Sequence, residues 1–389
     1  MGHALRIGLY SPYFGTALGG GEKYLGVAAE ALRDAFPDHA IDILSPRPAD
    51  RALYEKTLNL DLSGIGLVPT NPRPGVLRRA AARAQILRPL RNRMVARQTH
   101  GFTAGYDLFL AMAYVVPVSS AARTSAVLCQ FPYELESETD RRALEDFQLI
   151  VCQSEYVRRW TLRRWQREAE VVNPPIDVPD APPDLTAKRP SILSVGRFVA
   201  GGHNKRHDLL AQAFAELCTG GLTGWELHLA GSVHNDRASR EYLARVKDFA
   251  RGRPIQIHEN LPYAELVRLY DQASLYWHAA GYGIDEEAHP DALEHFGMST
   301  AEAMGRGAVP VVIARGGQLE VVRDGVDGRT WSEPGDLKQI TRELSADPAA
   351  RDRLARAAIA SSRRWSREAF KRNLVAVVTP LLQRLKAAG

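Results

Sequence analysis

Residues 294–302 read EHFGMSTAE, two carboxylates, Glu294 and Glu302, with a glycine and two hydroxyl residues between them. Gly297 permits a break in the backbone. Ser299 and Glu302 have the S-x-x-E spacing of a capping box, which predicts Ser299 as the N-cap of a helix beginning near Thr300. Glu294 then precedes the helix, and both acids surround a helix N-terminus. The unpaired N–H groups and the dipole there favour an anion or a sugar oxygen. Carboxylates accept hydrogen bonds from vicinal hydroxyls, as on a ribose or a hexose. Glu302 also has a purely structural reading, as the third residue of the box.

A second constellation lies upstream in LSVGRFVAGGHNKRHDLLAQAF. A strand runs into Gly196 and Arg197, a glycine-rich loop follows, and Lys205 stands where a helix opens. Arg can fork onto phosphate oxygens and Lys supplies a point charge, so the pair suits a diphosphate. The competing reading is two solvated loop cations, the commoner fate of surface Lys and Arg. In the first half, Gly19, Gly20 and Gly21 also precede a helix. Tyr24 stands where the last glycine of G-x-G-x-x-G would fall, so a dinucleotide fingerprint is not supported. This loop reads either as a close approach to phosphate or as a plain turn. The same two readings apply to Gly316-Gly317, after the strand AVPVVI. The sequence contains no D-x-D pair and no metal-ligand Cys/His spacing, so no metal or other cofactor is expected. Charge would then be stabilised by Arg197, Lys205 and helix N-termini, donors worth about 3–4 kcal/mol each when preorganised.

Elements that could position these residues alternate along the chain. Apolar runs at ALRIGLY, IDILS, DLFLAM, SAVLCQ, LIVCQ and EVVN read as strands in the first half. SILSV, WELHLAG, IQIH, SLYWH and AVPVVI do so in the second. Helical periodicity marks 22–36, 155–168, 205–217, 236–250, 263–272, 337–346 and 366–387. Such alternation predicts parallel sheets covered on both faces. With 389 residues, the chain exceeds what one hydrophobic core usually serves. The stretch 173–190 has six prolines and no periodicity and reads as a linker between two Rossmann-like units. Ligands of such sheets bind beyond the carboxyl ends of the strands.

Composition narrows the class further. Hydrophobic residues make up 45% and charged residues 24%, as in ordinary globular proteins. Three cysteines, 129, 152 and 218, argue against a disulfide framework and fit a cytoplasmic location. No signal peptide and no apolar run of membrane-spanning length are expected. From Leu62 to Tyr106 there is no Asp, Glu or Lys but eight arginines, all between 73 and 97. This segment reads either as a basic element on an anionic membrane surface or as a solvated face of the core.

In order and spacing, SVGRF…NKRHDLLAQAF, LHLAGS, EHFGMSTAEAMGRGAVPVV and GGQLEVVRDGVDGR resemble the C-terminal domain of retaining family 4 glycosyltransferases of GT-B fold. SPYFGTALGGGEKYL and LIVCQSEYVRRWTLRRWQREAEVVNPPID resemble the N-terminal domain of the same family. The resemblance implies two Rossmann-like domains facing across a central cleft. Residues 1–180 would hold the acceptor, with a C-terminal helix at about 366–389 packing back on them. Residues 181–365 would hold a nucleotide-sugar donor. The implied catalytic set is Arg197 and Lys205 on the diphosphate and Glu294 on the donor hexose. The backbone of His295, Phe296, Gly297 and Met298 would also hold the hexose. Ser299 would open the helix at the donor, and Glu302 would bind the ribose. Gly19 to Gly21 would lie near the diphosphate, and Glu259 to Leu261 near the base. Gln130 stands where many members carry a histidine, in an acceptor region that includes Pro132. Glutamine cannot act as a general base, though it can hydrogen-bond a sugar hydroxyl.

The implied activity is metal-independent, retaining transfer of a hexose from GDP-mannose or a UDP-sugar. The acceptor would be a saccharide, glycolipid or lipid-linked glycan in surface glycan synthesis. GGGEKYL and EHFG look most like mannosyltransferases that extend lipid-linked oligosaccharides. An epimerase or phosphorylase on the same scaffold, and a non-catalytic sugar-nucleotide-binding partner, are the alternatives. No nucleic-acid partner is expected.

Overall fold

The computed structural model describes residues 4–70, 99–113, 119–135, 138–233 and 236–387. The arginine-rich 73–97 segment lies outside them. The chain forms two compact units, Met1–Pro175 with Arg367–Gly389, and Ile176–Ser366.

The first unit carries a seven-stranded sheet. Its strands are β1 (Arg6–Tyr10), β2 (Ala40–Ser45), β3 (Gly66–Pro69), β4 (Leu108–Ala113), β5 (Thr124–Cys129), β6 (Leu149–Cys152) and β7 (Glu170–Val171). Their spatial order is β3-β2-β1-β4-β5-β6-β7, and every pairing is parallel. β4 and β5 are buried at every position, as a sheet covered on both faces requires. The helix Gly20–Ala35 lies on this sheet and the helix Arg367–Ala387 packs against it. Tyr24 meets Phe370 edge-on at 4.9 Å, and Lys371 Nζ bridges Glu30 (3.1 Å) and Asp34 (2.9 Å).

The second unit has six strands: β8 (Arg189–Val195), β9 (Glu226–Gly231), β10 (Ile255–Glu259), β11 (Ala273–His278), β12 (Val309–Ile313) and β13 (Arg329–Trp331). Their order is β10-β9-β8-β11-β12-β13, again wholly parallel. In each unit the first strand stands third and the fourth strand lies beside it, the doubly wound order. The order therefore reverses beside β1 in one unit and beside β8 in the other, and these are the switch points where such sheets bind ligands.

The expected strands form close to their expected limits. β3 and β13 were not anticipated: GLVP and RTW are too short and too little apolar to stand out. The helices Arg51–Leu58, Glu138–Glu145 and Pro348–Ser362 were also missed. The first two are eight-residue, largely polar elements, and Asp50 caps the first by accepting from Leu53 N. No described helix is long and apolar enough to cross a membrane.

Candidate functional site

The switch point of the second unit lies at the carboxyl ends of β8 and β11. β8 delivers Gly196 and the exposed Arg197. The chain then loops to Lys205 before the helix His207–Thr219. Gly196 has to be a glycine, since a Cβ there would collide with the stem of Lys205.

β11 ends in His278. Successive residues of a strand face opposite ways. Leu275 and Trp277 join the core against the helix His207–Thr219, whereas Tyr276 packs in a separate cluster with Tyr270 and Ala303. On that same face His278 Nε2 lies 2.9 Å from Glu294 Oε2. Lys205 Nζ is ion-paired to the same oxygen. The Glu294 side chain is 12% exposed and that of Lys205 16%, so solvent screens this pair little.

The electrostatics follow from that burial. Burial alone would raise the carboxyl of Glu294, but Lys205 and then His278 outweigh it and hold it well below the ordinary carboxylate range. Burial pushes the His278 imidazole down more strongly than Glu294 raises it. His278 is therefore neutral near pH 7, and because a carboxylate only accepts, its proton sits on Nε2. A carboxylate held from two sides in this way is a fixed hydrogen-bond acceptor rather than a proton donor.

The backbone around Glu294 is clamped by the Gly316-Gly317 turn. Gly317 N donates to Glu294 O at 2.8 Å, and a Cβ on either glycine would strike the carbonyl of Glu294 or His295. This turn thus packs the loop that carries Glu294. Phe296 is buried against Trp365, with ring centroids 5.6 Å apart, so only its backbone faces the loop.

The expected capping box does not form. The helix is Met298–Gly305, with Gly297 at the N-cap in the left-handed region (φ 112°) and no side-chain cap. Starting earlier than expected, the helix places Ser299 inside its first turn. The hydroxyl of Tyr276 lies 2.7 Å from Ser299 Oγ, and that of Tyr270 donates to Glu302 Oε2 at 3.2 Å. Buried tyrosines thus occupy the groups the box would have used.

Arg197, Lys205, Glu294, His295, Phe296, Gly297, Met298, Ser299 and Glu302 all belong to this unit. In the same unit Glu259 ends β10, where it pairs with Lys247 at 2.5 Å, and Asn260 adopts φ 54° while its N–H bonds Gly231 O. Sequence reasoning missed His278, Tyr276, Tyr270 and His203. The available signal was a histidine closing an apolar strand, SLYWH, at the end where such sheets bind ligands.

The remaining expected residues lie in the first unit. Gly19 is the extended N-cap (φ −156°) of the helix Gly20–Ala35, and Gly20 and Gly21 form its first turn. Gln130 follows β5; its N–H bonds Ala113 O at 3.2 Å and its carbonyl accepts from Gln153 Nε2 at 2.8 Å. The carbonyl of Pro132 accepts from Arg164 at 2.8 Å.

Two parallel doubly wound units of seven and six strands are the architecture of GT-B glycosyltransferases. Solved structures with that architecture align along the whole chain. A glycosyltransferase from Rickettsia africae matches with TM-score 0.69 and 14% identity, covering 98% of this chain and 99% of its own. An Anabaena protein, HepE, in complex with UDP and glucose gives 0.68 and 17%, covering 97% and 100%. Sucrose-phosphate synthase from Thermosynechococcus elongatus gives 0.69 and 18%, covering 99% and 100%. Among curated proteins no sequence match is found. Residues 180–361 match the family described as glycosyl transferases group 1. That match covers most of the second unit and, with the shared two-unit architecture, marks the chain as a glycosyltransferase of GT-B fold.

Proposed function

We propose that the protein moves a hexosyl unit from a nucleotide-sugar, GDP-mannose or a UDP-sugar, to a saccharide, glycolipid or lipid-linked acceptor in surface glycan synthesis. Configuration is retained and no metal ion takes part. The observation that carries this reading is the Lys205–Glu294–His278 cluster at the switch point of the unit that matches the family. The UDP and glucose bound to HepE support a nucleotide-sugar over other anions.

In this reading Arg197 and Lys205 hold the diphosphate. Glu294 accepts from hexose hydroxyls, together with the backbone of His295 to Met298, and Glu302 accepts from the ribose. Residues 1–180 serve the acceptor through Gln130 and Pro132, with Gly19 to Gly21 approaching the diphosphate. The bond from the anomeric carbon to the diphosphate breaks as the acceptor oxygen bonds that carbon on the same face. The acceptor proton passes to the departing phosphate oxygen, so the step needs no base from Gln130.

A thermal-shift screen against nucleotide-sugars tests this, because a donor stabilises the fold by mass action. Lys205→Ala and Glu302→Ala should then sharply reduce binding or transfer. Wild-type turnover in both variants overturns the assignment. Peripheral membrane binding through 73–97 predicts salt-sensitive sedimentation with anionic vesicles.

A further inference from the structure

Two histidines beside this cluster have no role in the reading above as side chains. His203 stands in the Arg197–Lys205 loop, and His295 follows Glu294. Their rings meet at 90° with centroids 4.2 Å apart, and their Nε2 atoms are 2.9 Å apart. Two ring nitrogens that close require a proton between them. His295 Nε2 also lies 3.2 Å from the carbonyl oxygen of Asp291, which can only accept. The proton therefore belongs to His295 Nε2, His203 Nε2 accepts it, and the basic nitrogen of His295 is Nδ1.

We propose that the His203–His295 pair takes up one proton when a diphosphate enters the Arg197–Lys205 loop, and so adds an imidazolium to the cations that hold the donor. The inference rests on the nucleotide-sugar reading of the same loop. The added proton goes to Nδ1 of His295. The Nε2–H bond to His203 is kept and becomes charge-assisted, which strengthens it.

The surroundings explain why the pair is neutral before the ligand arrives. Among the described residues, the charged and titratable groups that act on it most strongly are Lys205, Arg197, His278 and Glu294. Glu294 is the one anion among them, and it is already committed to Lys205 and His278. Burial, then Lys205, push His203 down to about 4. Burial, then His203, hold His295 well below its ordinary value. An opposite charge within about 4–6 Å typically moves such a group by roughly 1–3 pH units toward its charged form. A diphosphate in the loop supplies that charge and moves the pair toward its protonated form.

The test is calorimetric titration of the intact protein with UDP-glucose and with GDP-mannose, in buffers of different ionisation enthalpy. The diphosphate of a nucleotide-sugar is already fully ionised between pH 5 and pH 7, so proton uptake reports on the protein. Scanned from pH 7 down to pH 5, uptake should appear and rise toward one proton per donor bound, and across the interval where it appears affinity should weaken by up to about tenfold per unit rise in pH. His203→Gln and His295→Gln should each abolish both the uptake and the pH slope. A variant that merely loosens the loop weakens binding at every pH and keeps the slope. Ring-proton NMR of the wild type should show the titration of the pair moving upward with donor bound. Binding without uptake, or uptake surviving in both variants, overturns this inference and leaves the donor reading standing. Failure of both sugars to bind at any pH overturns the donor reading and this inference with it.

Discussion

The two units wind their strands in the same order, yet they furnish their switch points differently. In the second, Lys205, Glu294 and His278 hold one another, and His203 pairs with His295, at the end of β11 and on the loops that follow β8 and β11. In the first, the candidate positions Gly19 to Gly21, Gln130 and Pro132 are uncharged, and Gln130 and Pro132 are fixed through backbone hydrogen bonds. Even the helix starts differ: Gly297 needs the left-handed region, whereas Gly19 is extended. Topology thus supplies a place for a ligand, and the side chains at the strand ends decide what chemistry occurs there.

The largest effect should come from emptying the charged switch point. Lys205→Ala leaves Glu294 in a site that excludes most water, with His278 alone beside it. A loss of roughly 10²–10³-fold in transfer is expected if the ammonium serves the diphosphate. A stability loss on the order of 3 kcal/mol follows from stranding a mostly buried charge. Lys205→Ala combined with Glu294→Ala should cost much less stability than the two singles summed, as denaturant unfolding would read. Simple additivity would mean the two side chains are not a unit.

The next effect concerns acid. The described histidines whose values are pushed down, 203, 207, 228, 258, 278 and 295, all lie in the second unit. His207 is fully buried against Phe198, and burial, then Lys205, take it down to about 3. Its ordinary value is near 6.5, so below that pH the unfolded chain binds a proton that the folded one refuses. Its contribution is intact above about pH 6.5 and is lost as pH falls toward 3, at about 1.4 kcal/mol per pH unit. Hydrogen exchange between pH 7 and 4.5 should show the second unit opening first. Equal loss of protection in both units would break the contrast.

The contrast also marks how far the sequence could be read. The parallel sheets were legible because β4 and β12 are continuous apolar runs and β5 is apolar from Ala126 on, and only a strand buried on both faces needs that pattern. Lys205 and Glu294 stood out because charges on glycine-containing loops after strands are locally unusual, and the structure brings these two together. His278 was hidden, since its partner is fixed by a strand pairing and a loop sixteen residues away. The capping box misled for a related reason. S-x-x-E is a local rule, and Tyr276 and Tyr270, brought in by β11 and the helix Tyr263–Gln272, compete for both of its side chains. Contacts made by tertiary packing leave no local spacing to detect.

Glycine substitutions test the two helix starts, with smaller effects. At Gly297 a Cβ would fall 2.6 Å from Gln318 Nε2, and φ 112° is strained for any other residue. Gln318 is fully buried, so it has little room to yield. Gly297→Ala should therefore cost about 1–3 kcal/mol in chemical unfolding and weaken donor binding with it. At Gly19 the backbone is extended, and a Cβ would meet only Glu22 Oε2, at 3.4 Å. Gly19→Ala should change stability by no more than about 1 kcal/mol, since glycine itself is only a moderate N-cap. That near-silence makes it the cleaner probe. If the first unit's glycine loop approaches the diphosphate, Gly19→Ala should raise KM for the donor while the unfolding midpoint stays in place. An unchanged KM would make the loop a plain turn and leave the donor wholly to the second unit's residues.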